Sequence, residues 1–503
     1  MPVEDAVTRK LIWALLLVGV LAGLSSLAYP RTQLDASSAT YAAITILEGG
    51  APYRDAWDVR APGLSLAYAA EIFIFGQSAV GLRIFDFLWQ GCTALVLFLL
   101  ARRIHASRET ALLTSVLYFL AYFSQNSWDW AQPDGLMNLP LTLFLLFASR
   151  AMQSDQPFNW FLSALCVGIA ALFKLPYGFL GIALIVLACR QAPATLFGIL
   201  RRLVVQAVGV ATPLALCAVF LYARGALRDA LLTEFTFAPA YVAYLHQAFT
   251  WQRNLRNTLG RPGLVPYYIL LVVALSSRVR QRRGGERLGR EQWVLWWWLF
   301  AGITIIFLNG SFSHHQFLPL IPPLALLSAP AFSRAMTGFR ALATSARLSA
   351  AVLLVALLMP LMVRTGQHAM FSGMAIRGMQ EKDPWAKVSL YIQERSSPSD
   401  RIFVWGNVPA IYLLSERRAA SRFLPTTFLS ISVPGTDFRG IILEELSRNS
   451  PKFFVLATGG PTWARFPDAR DSFQQFELLR EFVLTRYRVV LTGENFVLYA
   501  RKE

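Results

Sequence analysis

Between residues 11 and 363 the chain repeats one pattern. An apolar run near bilayer-spanning length is followed by a short polar turn, and arginine recurs in alternate turns. Runs of that length and composition suit a lipid core. A backbone crossing hydrocarbon must satisfy its own hydrogen bonds, which favours helices. The repetition therefore predicts a polytopic α-helical membrane protein. Hydrophobic residues make up 55% of the 503, more than an ordinary soluble chain carries.

The predicted spans cover residues 11–28, 79–101, 110–124, 136–151, 160–173, 177–189, 203–222, 264–275, 293–308, 317–331 and 350–363, about eleven in all. Residues 64–75 are shorter and amphipathic and read as an interfacial or half-inserted helix. The formal charge is +17, which taken alone would point to nucleic acid. The basic residues instead cluster in short turns: Arg9-Lys10, Arg102-Arg103, Arg150, Arg190, Arg278 to Arg283, Arg334 and Arg340. That is the positive-inside pattern, so no nucleic-acid partner is expected. It sets the N-terminus in the cytoplasm and brings the chain out of the membrane just before Asp35. Cys92, Cys166, Cys189 and Cys217 lie in apolar runs and read as small buried residues, with neither disulfide nor metal spacing.

After residue 363 the composition turns polar and mixed. A strand is expected at 400–406, a short helix at 409–417, a helix at 438–449 and a strand at 452–456. A helix at 476–487 then leads into a hairpin whose strands, 488–492 and 495–500, are split by Gly493-Glu494. Strands alternating with helices predict a small α/β domain. The expected division is 1–363 for the membrane domain and 364–503 for an extracytoplasmic α/β domain.

Four polar stretches fall on the outer face of this topology. The first runs from Asp35 to Gly63 and holds Arg54, Asp55, Asp58 and Arg60. The second is Trp128-Asp129-Trp130-Ala131-Gln132-Pro133-Asp134-Gly135. The third is Lys174-Leu175-Pro176. The fourth runs from Asn309 to Gln316 and includes His314-His315. Ionisable groups next to lipid are costly and tend to be kept for function. Cations gathered at a membrane surface suit a phosphate group, and a nearby carboxylate suits a general base. Plainer readings stand beside these. Lys174 also fits a snorkelling anchor, Asp129 and Asp134 fit helix caps, and Asp35 fits the cap of a helix over 36–48. Asp55 and Asp58 also fit loop-ordering roles. Adjacent histidines with no Glu-x-x-His or Cys set beside them argue against a metal site, although a divalent metal stays open.

With these residues in view, the chain resembles the GT-C superfamily of integral-membrane glycosyltransferases. The resemblance is to bacterial family 39-like members, relatives of the protein O-mannosyltransferases and the lipid A aminoarabinose transferase. That family opens with a span, an acidic motif, a Gly/Tyr/Asp stretch and a basic residue before proline. Here Asp35, the stretch from Gly50 to Asp55, and Arg60-Ala61-Pro62 correspond. The motif's second acid is Ala36, which weakens any paired-acid or metal-dependent scheme. Lys174-Leu175-Pro176 and His314-His315-Gln316-Phe317-Leu318-Pro319 resemble later family elements.

The resemblance implies an inverting transferase in a bacterial inner membrane, with its active site outside the cytoplasm. Its donor would be a sugar on a polyprenyl phosphate, and its acceptor a hydroxyl of a glycan, lipid or protein. Asp35 would be the general base. Arg60, Lys174, His314 and His315 would bind the donor phosphate, and Arg54, Asp55 and Asp134 would position substrate. No cofactor is assigned. Two alternatives remain at this point, a flippase for lipid-linked sugars and an envelope scaffold. The absence of a visible inverted repeat weighs against the flippase. The charged first loop has no role in the scaffold.

Overall fold

In a computed structural model of the chain, the residues described are 2–29, 34–105, 107–191, 195–248, 250–337, 359, 362–374, 385–431, 433, 435–458 and 468–502. Among them, five helices are long and apolar enough to cross a membrane: Ala79–His105, Pro133–Ser154, Leu196–Ala223, Arg290–Asn309 and His314–Met336. Shorter apolar helices are Ile12–Ala28, Gly63–Phe75, Pro157–Phe173 and Leu175–Arg190. Each overlaps an apolar run read from the sequence, and the chain is a multi-pass membrane protein. Most of the expected run at 350–363 lies outside the described residues.

Local chemistry starts and stops these helices. Ser107 caps Arg108–Phe123 by accepting the Thr110 N–H at 3.2 Å. Pro133 and Pro157 open their helices, where a missing N–H has no consequence. Lys174 leaves helical geometry, and a 3₁₀ turn over Leu175–Leu180 follows before helix Gly181–Arg190. This break puts the Lys174 side chain at the end of a span.

The residues cluster into two compact units. The first comprises Met1–Tyr29, Ala79–Leu216 and Thr250–Met379. In it, helices Pro157–Phe173 and Leu196–Ala223 meet through glycine. A Cβ on Gly168 would lie 2.4 Å from the Val210 carbonyl oxygen, and one on Gly209 would lie 2.6 Å from that of Phe161. Small residues allow this close approach where no hydrophobic force separates helix from lipid. On the loop side of the same helices, Arg202 is 1% exposed at its side chain and bonds Asp155 at 2.7 Å through both Nε and Nη2. All four cysteines are free; Cys166 and Cys217 are buried, but Cys92 and Cys189 are exposed, a departure from the burial expected. Both sit on outward faces of helices whose apolar surface is continuous with them, and run composition does not distinguish the faces.

The second unit comprises Pro30–Ser78, Cys217–Phe249 and Gln380–Glu503. Its centre is a five-stranded sheet of order β2-β1-β3-β5-β4. The strands are β1 Arg401–Trp405, β2 Arg418–Ala419, β3 Phe453–Ala457, β4 Tyr487–Thr492 and β5 Phe496–Arg501. β1 pairs in parallel with β2 and β3, while β5 is antiparallel to both β3 and β4. β3 is buried along its whole length, as a central strand covered on both faces must be. At the end of β1, Gly406 has φ +134°, and a Cβ there would sit 2.7 Å from the Ala457 carbonyl oxygen. Helix Phe438–Asn449 forms over the residues expected, capped by Asp437, which accepts the Gly440 N–H at 2.8 Å.

This unit is discontinuous in sequence, unlike the 364–503 domain expected. Tyr41, Ala42 and Ala56 belong to the same buried cluster as Ile402, Val404, Val455 and Leu498. The Tyr41 hydroxyl accepts the Ala419 N–H at 2.8 Å. Helix Leu34–Leu47 and the loop after it thus share a core with the sheet. A contiguous reading cannot register such long-range packing.

Gly168→Leu is expected to overfill the glycine contact and destabilise the first unit by about 1–3 kcal/mol. Gly91→Ala, where a Cβ meets nothing within 4 Å, serves as control. Thermal melting of both variants in detergent checks this: the first should melt well below the parent, and the second should not.

Candidate functional site

The loop after helix Leu34–Leu47 is built around Arg60. Asp35 lies in the first turn of that helix rather than at its cap, where a negative charge meets the helix dipole favourably. The Arg60 guanidinium donates to Asp35, and its Nη1 donates to both Asp58 oxygens at 2.9 and 2.7 Å. The Arg60 N–H also donates to Asp58 at 3.1 Å. All three side chains are mostly buried, with 19%, 16% and 12% exposure for Arg60, Asp35 and Asp58. Burial pushes the Asp58 carboxyl up, partly offset by Arg60. Burial opposes charge on Arg60 too, but Asp35 and Asp58 more than compensate and hold its guanidinium above its ordinary value.

Tyr53 fixes the loop's path. It has φ +68°, a left-handed conformation that an aromatic residue rarely adopts. Its buried hydroxyl lies 2.9 Å from the Arg60 carbonyl oxygen and 3.4 Å from Glu234 Oε1. Glu234 sits in a single π-helical turn, Thr233–Phe237, a feature common at functional positions. Burial lifts its carboxyl to about 7, against a lowering by the Tyr53 hydroxyl. Trp57 anchors the loop: its N–H donates to the Arg422 carbonyl at 2.8 Å and its indole to Thr233 Oγ1 at 3.1 Å. Its ring packs against Phe237 and Phe423, with centroids 4.9 and 5.4 Å away.

Arg54 and Asp55 pair with each other, and Asp55 also accepts the Ala51 N–H at 2.8 Å. Burial raises the Asp55 carboxyl, but Arg54 and the Ala51 N–H together hold it below its usual range. Arg54 also donates to the Arg224 carbonyl, and Arg224 to that of Gly49. Both residues therefore serve the loop's own architecture.

The remaining expected residues lie in the first unit. Lys174 donates to Asp134 at 2.8 Å, with 20% and 5% of the side chains exposed. Asp134 is in the first turn of the short helix Pro133–Leu136, whose cap position is Gln132. The nearest His314 and His315 nitrogens are 4.0 and 3.9 Å from the two oxygens of Asp129. Asp129 is 4% exposed and receives Asn126 Nδ2 at 3.4 Å. Burial raises its carboxyl to about 7, against lowering by the Asn126 hydrogen bonds, Arg261 and Arg364. The 128–135 turn is held from behind: the Tyr122 hydroxyl donates to Asp86 at 2.8 Å and accepts the Ala131 N–H at 3.1 Å. Ala131, like Phe312 in the histidine loop, has positive φ, +57° and +50°.

The structure thus joins Asp35 with Arg60, Arg54 with Asp55, and Lys174 with Asp134, and sets both histidines around Asp129. Sequence reasoning left Asp58 and Asp129 as structural acids, placed Tyr53 only as part of the Gly50 to Asp55 stretch, and did not single out Glu234. Glu234 lies in a segment with no motif, and only three-dimensional placement reveals it. Among the described residues, no group of three or more His, Cys, Asp or Glu is arranged to hold a metal ion.

The dolichyl-phosphate-mannose-protein mannosyltransferase family matches residues 59–222. An uncharacterised protein of Aquifex aeolicus (strain VF5) is 32% identical over 106 residues, and the chain spans about a fifth (21%) of that relative's length. Among solved structures, ArnT from Cupriavidus metallidurans bound to undecaprenyl phosphate superposes with a TM-score of 0.60 and 15% identity, covering 98% of this chain and 97% of that one. The oligosaccharyltransferase AglB from Archaeoglobus fulgidus, in complex with an inhibitory peptide and a dolichol-phosphate, gives 0.52 and 13%, covering 98% and 74%. The fold is the GT-C fold, shared with ArnT and AglB along nearly the whole of this chain.

The folded chain holds the Asp129 proton up to about pH 7, whereas an unfolded aspartate releases it near 4. The raised value means that this group's stabilising contribution is complete below about pH 4 and is lost as pH rises through about 7. Asp129→Asn keeps the shape without the charge. It is expected to match the parent near pH 4 and exceed it above pH 7 by roughly 2–4 kcal/mol. Denaturation measured across that pH range checks the sign.

Proposed function

We infer that this GT-C-type membrane protein is an inverting glycosyltransferase that moves a sugar from a polyprenyl-phosphate donor to an acceptor hydroxyl. The observation that carries this reading is Asp35, mostly buried on the first turn of a helix and gripped by Arg60, in a chain of this fold. Proteins of the same fold have been solved with undecaprenyl phosphate and with dolichol-phosphate, which supports a lipid-phosphate donor. The Archaeoglobus fulgidus oligosaccharyltransferase has also been solved tethered to an acceptor peptide, which supports an acceptor delivered separately from the donor.

In the proposed reaction, Asp35 accepts the proton of the acceptor hydroxyl. The acceptor oxygen forms its bond to the anomeric carbon as the bond from that carbon to the phosphate oxygen breaks. The lipid phosphate leaves with the electron pair, on the face opposite to attack, and configuration inverts. Arg60 has both terminal nitrogens engaged by carboxylates, which suits orienting Asp35 more than holding phosphate. Within the first unit, Lys174, His314 and His315 are the groups proposed to bind a phosphate. Asp134 and Asp129 would set the positions of these three. Arg54 and Asp55 would shape the loop that carries Arg60.

The basic turns support an orientation in which Asp35 and the sheet-containing unit face away from the cytoplasm, across a bacterial cytoplasmic membrane. General-base catalysis contributes about 10²–10⁴ in rate. Asp35→Asn is therefore expected to lower transfer from a radiolabelled polyprenyl-phosphate sugar at least a hundredfold, with melting temperature and lipid-phosphate binding retained. Full transfer by a folded Asp35→Asn protein would refute the base assignment.

A further inference from the structure

The second unit contains a cleft of about 570 Å³ that the proposed reaction does not use. Its volume is within the range of small-molecule sites. Five arginines line it: Arg54, Arg401, Arg418, Arg422 and Arg448. They come from four separate parts of the chain: the 49–63 loop, the start of β1, the stretch through and just after β2, and the end of helix Phe438–Asn449. Three carboxylates share the wall, those of Glu48, Asp55 and Glu445. Five guanidinium groups meet three acids in the lining itself, while Asp229, outside it, also pairs with Arg422 at 3.5 Å.

The acids are already committed. Asp55 is engaged by Arg54 and the Ala51 N–H. Glu445 accepts the Ser421 hydroxyl at 2.7 Å, the Arg422 N–H at 3.0 Å and Arg422 Nε at 2.6 Å. Glu48 pairs with Arg418. The surplus falls on Arg401 and Arg448. Arg401 donates to the Ala419 carbonyl at 3.1 Å, and no carboxylate pairs with it among the described residues. Arg448 bonds Glu444, but that pair is 66% and 72% exposed on a helix surface. Such a pair contributes little and yields readily to a better anion.

Guanidinium forks match phosphate oxygens two at a time. A basic surface of scattered arginines would be solvated singly; here they converge on a cleft floored by polar groups, including Ser421 and Asn449. We propose that this cleft binds a phosphate monoester, carried by a soluble sugar phosphate or by a lipid headgroup, with Arg401 and Arg448 as its principal anion ligands. As an acceptor class for transfer, the proposal rests on the reading above; as a binding site, it does not.

Titration calorimetry on the full-length chain in detergent tests it, with glucose 1-phosphate as probe and glucose as the neutral control. The phosphate sugar should bind, glucose should not, and Arg401→Gln with Arg448→Gln should weaken binding at least tenfold. Raised salt should weaken it as well. Arg448→Gln alone, which removes only a surface pair, keeps the test valid if the double variant does not fold, and should still weaken binding severalfold. A parallel arm uses nanodiscs of phosphatidylcholine with and without phosphatidic acid. Binding that depends on phosphatidic acid and on both arginines, without binding of the soluble sugar phosphate, would identify the phosphate's source as a lipid headgroup and uphold the phosphate site. Equal binding of glucose and glucose 1-phosphate, binding indifferent to both arginines, or no binding in either arm would overturn the proposal. None of these readouts requires transfer, so failure here leaves the transferase reading standing.

Discussion

Two carboxylates, Asp35 and Asp58, share one guanidinium, and much of the second unit is arranged to keep it between them. Removing Arg60 would leave two acids close together in a largely desolvated pocket, an arrangement that is strongly unfavourable without a cation. The loop from Gly49 to Gly63 supplies that cation at a defined height. Tyr53 accepts an uncommon backbone conformation to aim its hydroxyl at the Arg60 carbonyl. Trp57 locks the far side into a cluster of aromatic rings with Phe237, Phe423 and Phe438. Asp35 is therefore positioned by packing that reaches well beyond its own helix.

The first unit shows the same economy of design around its own acids. Lys174 meets Asp134 because a span ends where the helix yields to a 3₁₀ turn. Asp129 is enclosed with two histidines on a turn braced by Tyr122 and Asp86. In each of the three loops that hold Asp55, Asp129 or the histidines, one non-glycine residue has positive φ: Tyr53, Ala131 and Phe312. Backbone strain of this kind persists only where surrounding contacts over-determine it, and it gathers at functional sites.

Much of this was legible in the sequence because it follows from one-dimensional patterns. Apolar run length located the membrane helices. Period and turn residues located helix Phe438–Asn449 and the hairpin split at Gly493-Glu494. The loop of Asp35, Arg54, Asp55 and Arg60 stood out because charge beside an apolar span is uncommon. What escaped was everything that depends on distant segments meeting. Asp58 could not be recognised as Arg60's second partner, since its role depends on the loop's fold. Glu234 has no motif, and its raised carboxyl comes from burial alone. The parallel pairing of β1 with β2 and β3, and the inclusion of Tyr41 in the sheet's core, are long-range contacts that carry no local signature. Short polar helices such as Trp251–Leu259 and Ala386–Glu394 also lack an apolar run to announce them.

In the proposed reaction, Asp35 and Arg60 act as one unit in transfer from a lipid-linked sugar. A double-mutant cycle measures that directly, comparing kcat for the parent, Asp35→Asn, Arg60→Gln and the double variant with a polyprenyl-phosphate sugar as donor. If Arg60 works by holding the base, the double variant should be little slower than Asp35→Asn alone. Effects that simply multiply would contradict this coupling, because they would mean that Arg60 and Asp35 serve the reaction independently.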